Sequence, residues 1–392
     1  MSERFDVIVV GAGSFGTWTA LELCLRGRSV ALVEAYGPAH SRASSGGESR
    51  IIRMGYGPNE VYTRWSMRAL ERWQTLLAEA GQRLFHRTGV LWFARGAVAD
   101  AYNPASLTTF EKLGVPHRTL SRHELLDIYP QIALDEDVSW GLLETDSGVL
   151  LARRAVSTVV NWAIRQGVNY LQAAIVPPSV DEAVSGRLDG VRTVNGTSIR
   201  SGNNGAIIFA CGPWLGKMFP ELVGNRLFIS RQEVFFFAPP AGDARYAPSA
   251  LPTWIDLAHE AYGMPDLENR GVKVGIDRHG GAFDPDIGSR MSSEEGLSEA
   301  RRYLGTRFPA LHDAAVVEAR VCQYENTSNG DFLLDRHPAF ENVWLAGGGS
   351  GHGFKHGPAV GEYLAGRVLD GKPGDPWFSL ESKLALQRRA IF

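Results

Sequence analysis

Three glycines near the start of the chain have a spacing that suits the binding of a dinucleotide. Gly11, Gly13 and Gly16 follow a short apolar run and open a stretch with helical periodicity. The first glycine permits a tight turn, the second lets the backbone approach a pyrophosphate, and the third lets helix and strand pack closely. Glu34, at the end of the next apolar run, offers a carboxylate to ribose hydroxyls and would repel a 2′-phosphate. A glycine-rich turn without a ligand is the alternative. The apolar run before the motif, the helical stretch after it and the acidic residue at the end of the next run disfavour this alternative.

The elements that must position these residues form a β–α–β unit, and two later strands repeat its pattern. Gly212 and Gly347 each open a glycine loop directly after a buried apolar run. Because ligands in such folds sit off the carboxyl ends of parallel strands, we expect all three loops to meet at one edge of one sheet. The periodicity predicts strands at 6–10, 30–33, 90–93, 207–210 and 343–346 and helices at 14–26, 60–80, 152–166 and after Pro358.

Composition limits the domain count and the classes of partner. The 392 residues suffice for two or three domains of roughly 100–200 residues each, and the chain is 44% hydrophobic with a formal net charge of −3. No basic stripe and no long apolar run are present, so we expect neither nucleic acid nor a membrane as partner. Three scattered cysteines and no zinc-type spacing predict no disulfide framework and no metal. No signal peptide is recognisable, and we expect a cytoplasmic monomer.

Five segments, in order and with compatible spacing, resemble the monomeric sarcosine oxidase and N-methyltryptophan oxidase family. They are 44–53 (SSGGESRIIR), 262–265 (YGMP), 271–275 (GVKVG), 320–324 (RVCQY) and 349–355 (GSGHGFK). The resemblance covers nearly the whole chain. It implies an α/β protein with a Rossmann-type FAD-binding domain and an interleaved α+β substrate domain built on an antiparallel sheet. We place the FAD-binding domain at 1–85, 150–225 and 325–392, and the substrate domain at 86–149 and 226–324.

The resemblance implies FAD as cofactor and a set of residues around it. Cys322 corresponds to the family's cysteine that bonds covalently to the 8α-methyl group of the flavin, and a buried, inert cysteine is the alternative. Arg50 is expected to pack against the flavin ring or its ribityl chain. The expected FAD-binding residues are Gly11, Gly13, Ser14, Phe15, Gly16, Glu34, Ala35, Ser44, Arg50, Ile51, Val176, Cys211, Gly212, Trp214, Cys322, Gly349, Gly351, Gly353, Phe354 and Lys355.

Two cations resemble the family's pair that binds the substrate carboxylate. Arg53 offers a planar fork and Lys355 a point charge, and together they require an anionic ligand. A surface ion pair is the alternative for each. Tyr262 and Tyr324 resemble residues that line the substrate cavity, although plain core packing would also explain them.

Lys273 lies between two valines of a predicted strand, where an inward-facing lysine would be buried. The family's matching lysine promotes the reduction of O2 beside the flavin, a role that a positive charge suits. The alternative is a lysine at the edge of the strand that points to solvent.

Two histidines of the family pattern are missing here. Gly46 stands in place of one and Asp277 in place of the other, and His279 would substitute only after a local shift. We expect the cavity to be enlarged and Asp277 to hold a cationic group of the substrate. A larger N-alkyl or cyclic secondary amino acid is therefore as compatible with the sequence as an N-methyl one.

The sequence thus predicts FAD-dependent oxidation of a secondary amino acid to an imine, with O2 reduced to H2O2. His352 and His356 flank Lys355, and we expect the backbone of their loop, rather than their rings, to contact FAD. Three alternatives stay open. They are an FAD dehydrogenase with another electron acceptor, a non-catalytic flavoprotein subunit of a complex, and an NAD-dependent dehydrogenase.

Overall fold

The computed structural model describes residues 4–96, 100–182 and 184–385. Within these ranges the chain forms two large sheets and one small one, with helices packed against them. The strands are β1 (Arg4–Val10), β2 (Val30–Glu34), β3 (Arg50–Ile52), β4 (Phe85–His86), β5 (Val90–Arg95), β6 (His117–Ser121), β7 (Val138–Glu144), β8 (Gly148–Leu150), β9 (Asn169–Gln172), β10 (Gly190–Arg192), β11 (Ser198–Phe209), β12 (Phe228–Phe237), β13 (Thr253–Asp256), β14 (Ala261–Met264), β15 (Val272–Ile276), β16 (Val316–Asn326), β17 (Leu333–Arg336) and β18 (Val343–Gly347).

The predicted helices are confirmed with shifts of one residue at their ends. The last helix begins one residue before Pro358, so the proline lies in the first turn, where its missing N–H is no loss. None of the helices in the described ranges is long and apolar enough to cross a membrane. The helices are α1 (Ser14–Leu25), α2 (Glu60–Glu79), α3 (Tyr102–Leu113), α4 (Arg122–Ile128), α5 (Ala152–Arg165), α6 (Leu215–Met218), α7 (Pro220–Val223), α8 (Glu294–Arg307) and α9 (Gly357–Asp370).

The strand β11 is much longer than the predicted run at 207–210. It begins at Ser198, and its first half pairs with the short strand β10 at the margin of the sheet. That half carries exposed polar residues, whereas positions 205–209 are buried. The apolar signal in the sequence therefore marked only the half of the strand that enters the core.

A seven-stranded sheet carries the three glycine loops. Its order is β17-β18-β11-β1-β2-β9, and β10 pairs with β11 beside this path. The strand β1 runs parallel to β2 and β11, and β11 runs parallel to β18. The loops after β1, β11 and β18 therefore leave the same edge. This confirms the prediction that distant pieces of the chain assemble one parallel sheet, to which β10 and β17 add antiparallel strands.

The second large sheet has eight strands in the order β16-β12-β15-β14-β13-β5-β7-β6. All neighbours are antiparallel except β5 and β13, which run parallel. The expected antiparallel sheet is thus present with one parallel pair in it. The proposed domain boundaries remain a proposal, and β16 runs through the one between 324 and 325.

Packing between α1, α2 and α9 fixes the loop that carries Lys355. Trp18 of α1 and Trp73 of α2 meet edge to face, with ring centroids 4.9 Å apart. A Cβ added to Gly361 of α9 would lie 2.7 Å from the carbonyl oxygen of Trp18, so the two helices approach at a glycine. The indole N–H of Trp73 donates a hydrogen bond of 2.9 Å to the carbonyl oxygen of Lys355. The helix core therefore sets the position of a predicted site residue.

Candidate cofactor and substrate site

Two cavities adjoin at the carboxyl edge of the seven-stranded sheet. The first, of about 320 Å³, is lined by the three glycine loops and is termed the glycine-loop cavity. The second, of about 120 Å³, is lined by Arg53, Lys273 and Lys355 and is termed the cationic cavity. Arg50 and Cys322 line both, so a long ligand could extend from one cavity into the other.

The first glycine loop has the geometry of a phosphate site. A Cβ on Gly11, whose φ is +103°, would overlap the carbonyl oxygen of Ala210, and one on Gly16 would overlap that of Gly11. Gly13 is the N-cap of α1 and has no side chain with which to cap it. The N–H groups of the first turn therefore stay open to an anion, and the helix dipole favours a negative charge there.

Glu34 closes the next strand beside this turn. Its carboxylate accepts hydrogen bonds from the backbone N–H of Ala12 (2.7 Å) and of Tyr36 (3.0 Å). Burial raises the pKa of Glu34, while these N–H donors act in the opposite direction. The carboxylate is thus fixed in the lining of the glycine-loop cavity, as its predicted role at a ribose requires.

The first and third glycine loops touch each other. The hydroxyl of Ser14 donates a hydrogen bond of 2.7 Å to the carbonyl oxygen of Phe354. Gly351 has a φ of +81°, and a Cβ there would lie 2.8 Å from the ring of Tyr324. A side chain at this position would both strain the backbone and displace the tyrosine.

Most of the predicted cofactor residues line one cavity. Ile51 and Lys355 line the cationic cavity instead, and Gly16 packs behind the first turn. Val176 lies just beyond the lining residue Ile175, and its N–H donates to the carbonyl oxygen of Arg192. The predicted residues in the glycine-loop cavity are Gly11, Gly13, Ser14, Phe15, Glu34, Ala35, Ser44, Arg50, Cys211, Gly212, Trp214, Cys322, Gly349, Gly351, Gly353 and Phe354.

Arg50 and Cys322 meet where the two cavities join. The Arg50 guanidinium donates to the Cys322 sulfur at 3.4 Å and to the carbonyl oxygen of Ser44. The hydroxyl of Ser44 donates to the carbonyl oxygen of Gln323 at 3.1 Å. The sulfur of Cys322 thus lies beside a guanidinium group in the lining that the two cavities share.

Arg53 and Lys355 are brought together by Tyr56. The guanidinium carbon of Arg53 lies 4.2 Å from the centroid of the Tyr56 ring, and the Lys355 nitrogen lies 4.9 Å from it. Only 5% of Arg53 and 3% of Lys355 is exposed, which removes the alternative of surface ion pairs. Burial, reinforced by the charge of Arg53, lowers the pKa of Lys355 well below its usual range.

Glu144 supplies buried negative charge behind these cations. This fully buried carboxylate accepts hydrogen bonds from the backbone N–H of Met54 (2.6 Å) and Gly55 (2.9 Å) and from the indole of Trp92 (2.8 Å). It therefore anchors the segment just after Arg53. The sequence analysis missed both Tyr56 and Glu144. A tyrosine three residues after Arg53 was a weak local signal, and nothing near Glu144 in the sequence pointed to the site.

Lys273 is buried, with 3% of its surface exposed, so it does not point to solvent. Its ammonium group donates to the carbonyl oxygen (3.1 Å) and the hydroxyl (3.3 Å) of Ser49. Burial, followed by the charge of Arg50, lowers the pKa of Lys273 to about 7. The side chain faces the cationic cavity. With this pKa it can gain or lose a proton near neutral pH.

Tyr262 and Tyr324 line the cationic cavity together with Asp277. The hydroxyl of Tyr324 donates a hydrogen bond of 2.9 Å to the Asp277 carboxylate. Burial, assisted by the charge of Asp277, raises the pKa of Tyr262 to about 12. Tyr262 therefore presents a neutral hydroxyl to the cavity at physiological pH.

The expectation that Gly46 enlarges the cavity is wrong. A Cβ on Gly46 would overlap the carbonyl oxygen of His40 and would lie 3.1 Å from that of Ala43. The space that a side chain would enter is filled by the backbone of the preceding turn, so its absence frees no volume. Gly46 is required by the turn itself.

His352 and His356 surround the hydroxyl of Tyr56 with their rings. His352 Nδ1 lies 3.0 Å and His356 Nε2 lies 2.8 Å from this oxygen. The carbonyl oxygen of His352 accepts a hydrogen bond of 3.0 Å from Lys355. The rings thus support the tyrosine on which the two cations lie, while contact between FAD and the backbone of this loop stays a prediction.

Glu325 is a further residue that the sequence analysis missed. It lines the glycine-loop cavity with 6% of its surface exposed, and its Oε1 atom has no hydrogen-bond partner among the described residues. Burial raises the pKa of Glu325 to about 8, although the N–H groups of Gly348 and Gly349 act against this. The carboxyl is therefore protonated at neutral pH and presents a polar group to a bound cofactor.

The comparisons with known proteins agree with this geometry. Residues 6–367 match the family described as FAD dependent oxidoreductase, DAO. The chain belongs to this family of FAD-dependent oxidoreductases. It is 31% identical over 382 residues to a monomeric sarcosine oxidase of Bacillus sp. (strain NS-129), with 95% of each chain covered. It is also 31% identical to the peroxisomal sarcosine oxidase of Homo sapiens over 370 residues, with 92% of this chain and 91% of the human one covered.

The fold is shared with a solved dehydrogenase. The crystal structure of L-proline dehydrogenase from P. horikoshii superposes with a TM-score of 0.81 at 22% identity, covering 97% of this chain and 98% of the other. Family membership decides between FAD and NAD, which the glycine spacing left open. The residues of this FAD-dependent oxidoreductase fit the cofactor, since the open N-terminus of α1 suits a diphosphate and the adjoining cavities suit an extended molecule.

Glu325→Gln tests the buried carboxyl. Because folding raises the pKa of Glu325, its contribution to stability is fully present at acidic pH and is lost as the pH rises through about 8. The amide cannot ionise, so we expect the variant to melt several degrees above wild type at pH 9 and close to it at pH 5. Each kcal/mol shifts the Tm of a large domain by roughly 2–4 °C. Thermal melts at both pH values measure this, and exposed Glu221→Gln is the control. An equal shift at both pH values would contradict the assignment.

Proposed function

We propose that this protein oxidises a secondary amino acid, with an N-alkyl or a cyclic nitrogen, to an imine and passes the electrons to O2 with release of H2O2. The observation that carries the proposal is the buried pair of Arg53 and Lys355 on the Tyr56 ring, next to the FAD site. The names of the relatives support the substrate class, since they include sarcosine oxidases and an N-methyl-L-tryptophan oxidase of Salmonella arizonae. Like the relatives named monomeric, the protein would act as a monomer.

Arg53 and Lys355 would bind the substrate carboxylate. Two cations that are almost fully removed from water are unfavourable unless an anion joins them. The ring of Tyr56 lies against both cations, and the charges of Glu144 and Asp277 act on both, although Glu144 already accepts four hydrogen bonds from its own surroundings. A substrate carboxylate between the two cations would add charge-assisted hydrogen bonds and hold the substrate in one orientation.

The remaining lining of the cavity would orient the amine. FAD, when bound along the glycine-loop cavity, would supply the redox chemistry that oxidises the carbon next to nitrogen and transfers the electrons to O2. Tyr262 and Tyr324 form an aromatic wall with hydroxyl groups, which suits an amino acid with an apolar part. The substrate nitrogen must be neutral, because a protonated nitrogen has no lone pair to assist the departure of hydride.

Lys273 would favour the reaction with O2. Its ammonium group is held by Ser49 in the wall of the cationic cavity, where a positive charge stabilises negative charge that develops on oxygen. An FAD dehydrogenase with another acceptor would share every other feature of the site. A non-catalytic subunit would have no need of Arg53, Lys273 and Lys355 around one cavity.

Cys322 would hold the flavin covalently through a bond from its sulfur to the 8α-methyl group. The sulfur lies in the lining of both cavities, and Arg50 donates to it at 3.4 Å. This arrangement holds the sulfur where the two cavities join. Cys211 also lines the glycine-loop cavity, but burial raises the pKa of its thiol far above the usual range. Of these two cysteines, only Cys322 lines both cavities.

Acid precipitation tests the covalent bond. We expect the flavin of the wild-type protein to stay in the pellet after treatment with trichloroacetic acid, and the flavin of Cys322→Ser to appear in the supernatant. Absorption spectra of the two fractions measure this. Cys211→Ser is the matched control, because it changes a cysteine of the same cavity and should leave the flavin in the pellet. Complete release from the wild-type protein would rule out the attachment.

Lys355→Ala tests the carboxylate site. A charge-assisted hydrogen bond typically contributes about 1.5–3 kcal/mol, so we expect KM for a secondary amino acid to rise roughly ten- to a hundredfold. Exposed Lys372→Ala is the control and should not change KM.

A panel of sarcosine, pipecolate and uncharged N-methylamines, followed by H2O2 release, tests the substrate class. The reading of Arg53 and Lys355 would be wrong if uncharged amines outpaced every amino acid.

A further inference from the structure

One carbonyl oxygen in the wall of the cationic cavity holds two cations. The backbone oxygen of Ser49 accepts a hydrogen bond of 3.1 Å from the ammonium group of Lys273 and one of 2.8 Å from the guanidinium group of Arg50. Both of these side chains line the cationic cavity. Because a carbonyl group carries no net charge, it orients the two cations without cancelling the repulsion between them. A nearby anion favours the charged form of such groups.

Glu48 supplies an anion one residue before Ser49, and it lines the same cavity. Its carboxylate oxygens lie 2.9 Å from a nitrogen of Arg320, 3.4 Å from one of Arg270 and 3.6 Å from one of Arg153. These arginines belong to β16, to the turn before β15 and to α5. The carboxylate of Glu48 therefore joins the segment around Ser49 to three other parts of the fold.

Backbone contacts fix the same segment. The carbonyl oxygens of Gly47 and Glu48 accept hydrogen bonds of 3.1 Å and 2.8 Å from the first two N–H groups of α5. N–H groups in the first turn of a helix have no partner within the helix, so the segment satisfies them. Ser49 is thus held by a helix terminus and by the ion pairs of Glu48, and the place of the Lys273 ammonium group follows from it.

The charges around Lys273 act in both directions. Burial and then the charges of Arg50 and Arg320 lower the pKa of Lys273, whereas the charges of Cys322 and Glu48 raise it. In the covalent holoenzyme that we propose, the Cys322 sulfur is bonded to the flavin and carries no charge, so Glu48 is the anion of this set that remains. The residues paired with Lys273 in β12 and β14 do not titrate, and they are Phe236 and Met264.

We propose that Glu48 is a positioning residue for the reaction with O2, which sets the place of Lys273 through Ser49 and keeps that lysine positively charged. This inference rests on the proposed function, in which the charge of Lys273 stabilises negative charge that develops on oxygen. A neutral lysine would keep its hydrogen bond to Ser49 but lose this effect. The rate of flavin reoxidation should therefore follow the protonation of Lys273.

Reoxidation of the photochemically reduced holoenzyme by O2, followed in a stopped-flow instrument from about pH 5 to about pH 9, tests this role. The wild-type rate should fall as the pH rises through the pKa of Lys273. Glu48→Gln should move the midpoint of this fall by about one unit to lower pH, because loss of a nearby anion lowers the pKa of a lysine. Above the midpoint the variant should be about tenfold slower than wild type, and below it within about twofold.

Glu318→Gln is the matched control. Glu318 also pairs with Arg270 and Arg320, but it is not among the described residues that line the cationic cavity, so this variant should keep the wild-type midpoint. Arg320→Gln should move the midpoint to higher pH, because the charge of Arg320 lowers the pKa of Lys273. This opposite shift keeps the inference testable if Glu48→Gln folds poorly.

The oxidised flavin gives a readout without turnover. We expect a pH titration of its visible spectrum to show a transition that Lys273→Met abolishes. Glu48→Gln should move this transition to lower pH by the same amount as the midpoint of reoxidation, and Glu318→Gln should leave it in place.

The outcomes separate this inference from the proposed function. If Lys273→Met is reoxidised as fast as wild type at every pH, the proposed role of Lys273 fails and the inference fails with it. If Lys273→Met is slow and Glu48→Gln keeps the wild-type midpoint, the inference alone is overturned. It is likewise overturned if Glu48→Gln slows reoxidation by one factor at every pH, or by the same factor in a Lys273→Met background, since its effect then does not pass through Lys273.

Discussion

Buried positive charge is the constraint on which the site depends. Arg53, Lys273 and Lys355 line one cavity, and none of them is more than 5% exposed. Charged groups in such surroundings lose hydration, so the protein must hold them by other contacts. The ring of Tyr56 and the carbonyl oxygens of the neighbouring loops provide these contacts, and the charges of Glu144 and Asp277 act on Arg53 and Lys355. In the function that we propose, this cavity binds the carboxylate of the substrate.

The rest of the fold brings these groups to the cofactor. Parallel pairing of β1, β11 and β18 places three glycine loops at one sheet edge. The eight-stranded sheet supplies Lys273 from β15 and Cys322 and Tyr324 from β16, which are connected through β12. The third glycine loop leads into Lys355, and the Trp73 indole fixes that residue from the helix core. The glycine-loop cavity and the cationic cavity are therefore formed by the same few strands and loops.

The sequence predicted those features of the fold and the site that a local pattern of residues encodes. Apolar runs followed by glycines gave the parallel sheet, and the matched segments gave the family, FAD and the residues that line the two cavities. Tyr56, Glu144 and Glu325 were missed, because their roles arise from contacts with residues distant in the sequence or from burial that no short motif reports. Gly46 was misread for the same reason. Only the structure shows that the backbone of His40 fills the space beside it.

The most direct test of the account is whether the cavity prefers a carboxylate over a neutral group of equal size. Pyrrole-2-carboxylate and pyrrole-2-carboxamide differ in little but charge, and both can be titrated against the visible spectrum of the oxidised flavin. The account predicts that the carboxylate perturbs the spectrum and binds at least about tenfold more tightly than the amide, as a charge-assisted contact would. Equal affinity for the two ligands, or a preference for the amide, would contradict the claim that Arg53 and Lys355 form the substrate's anion site.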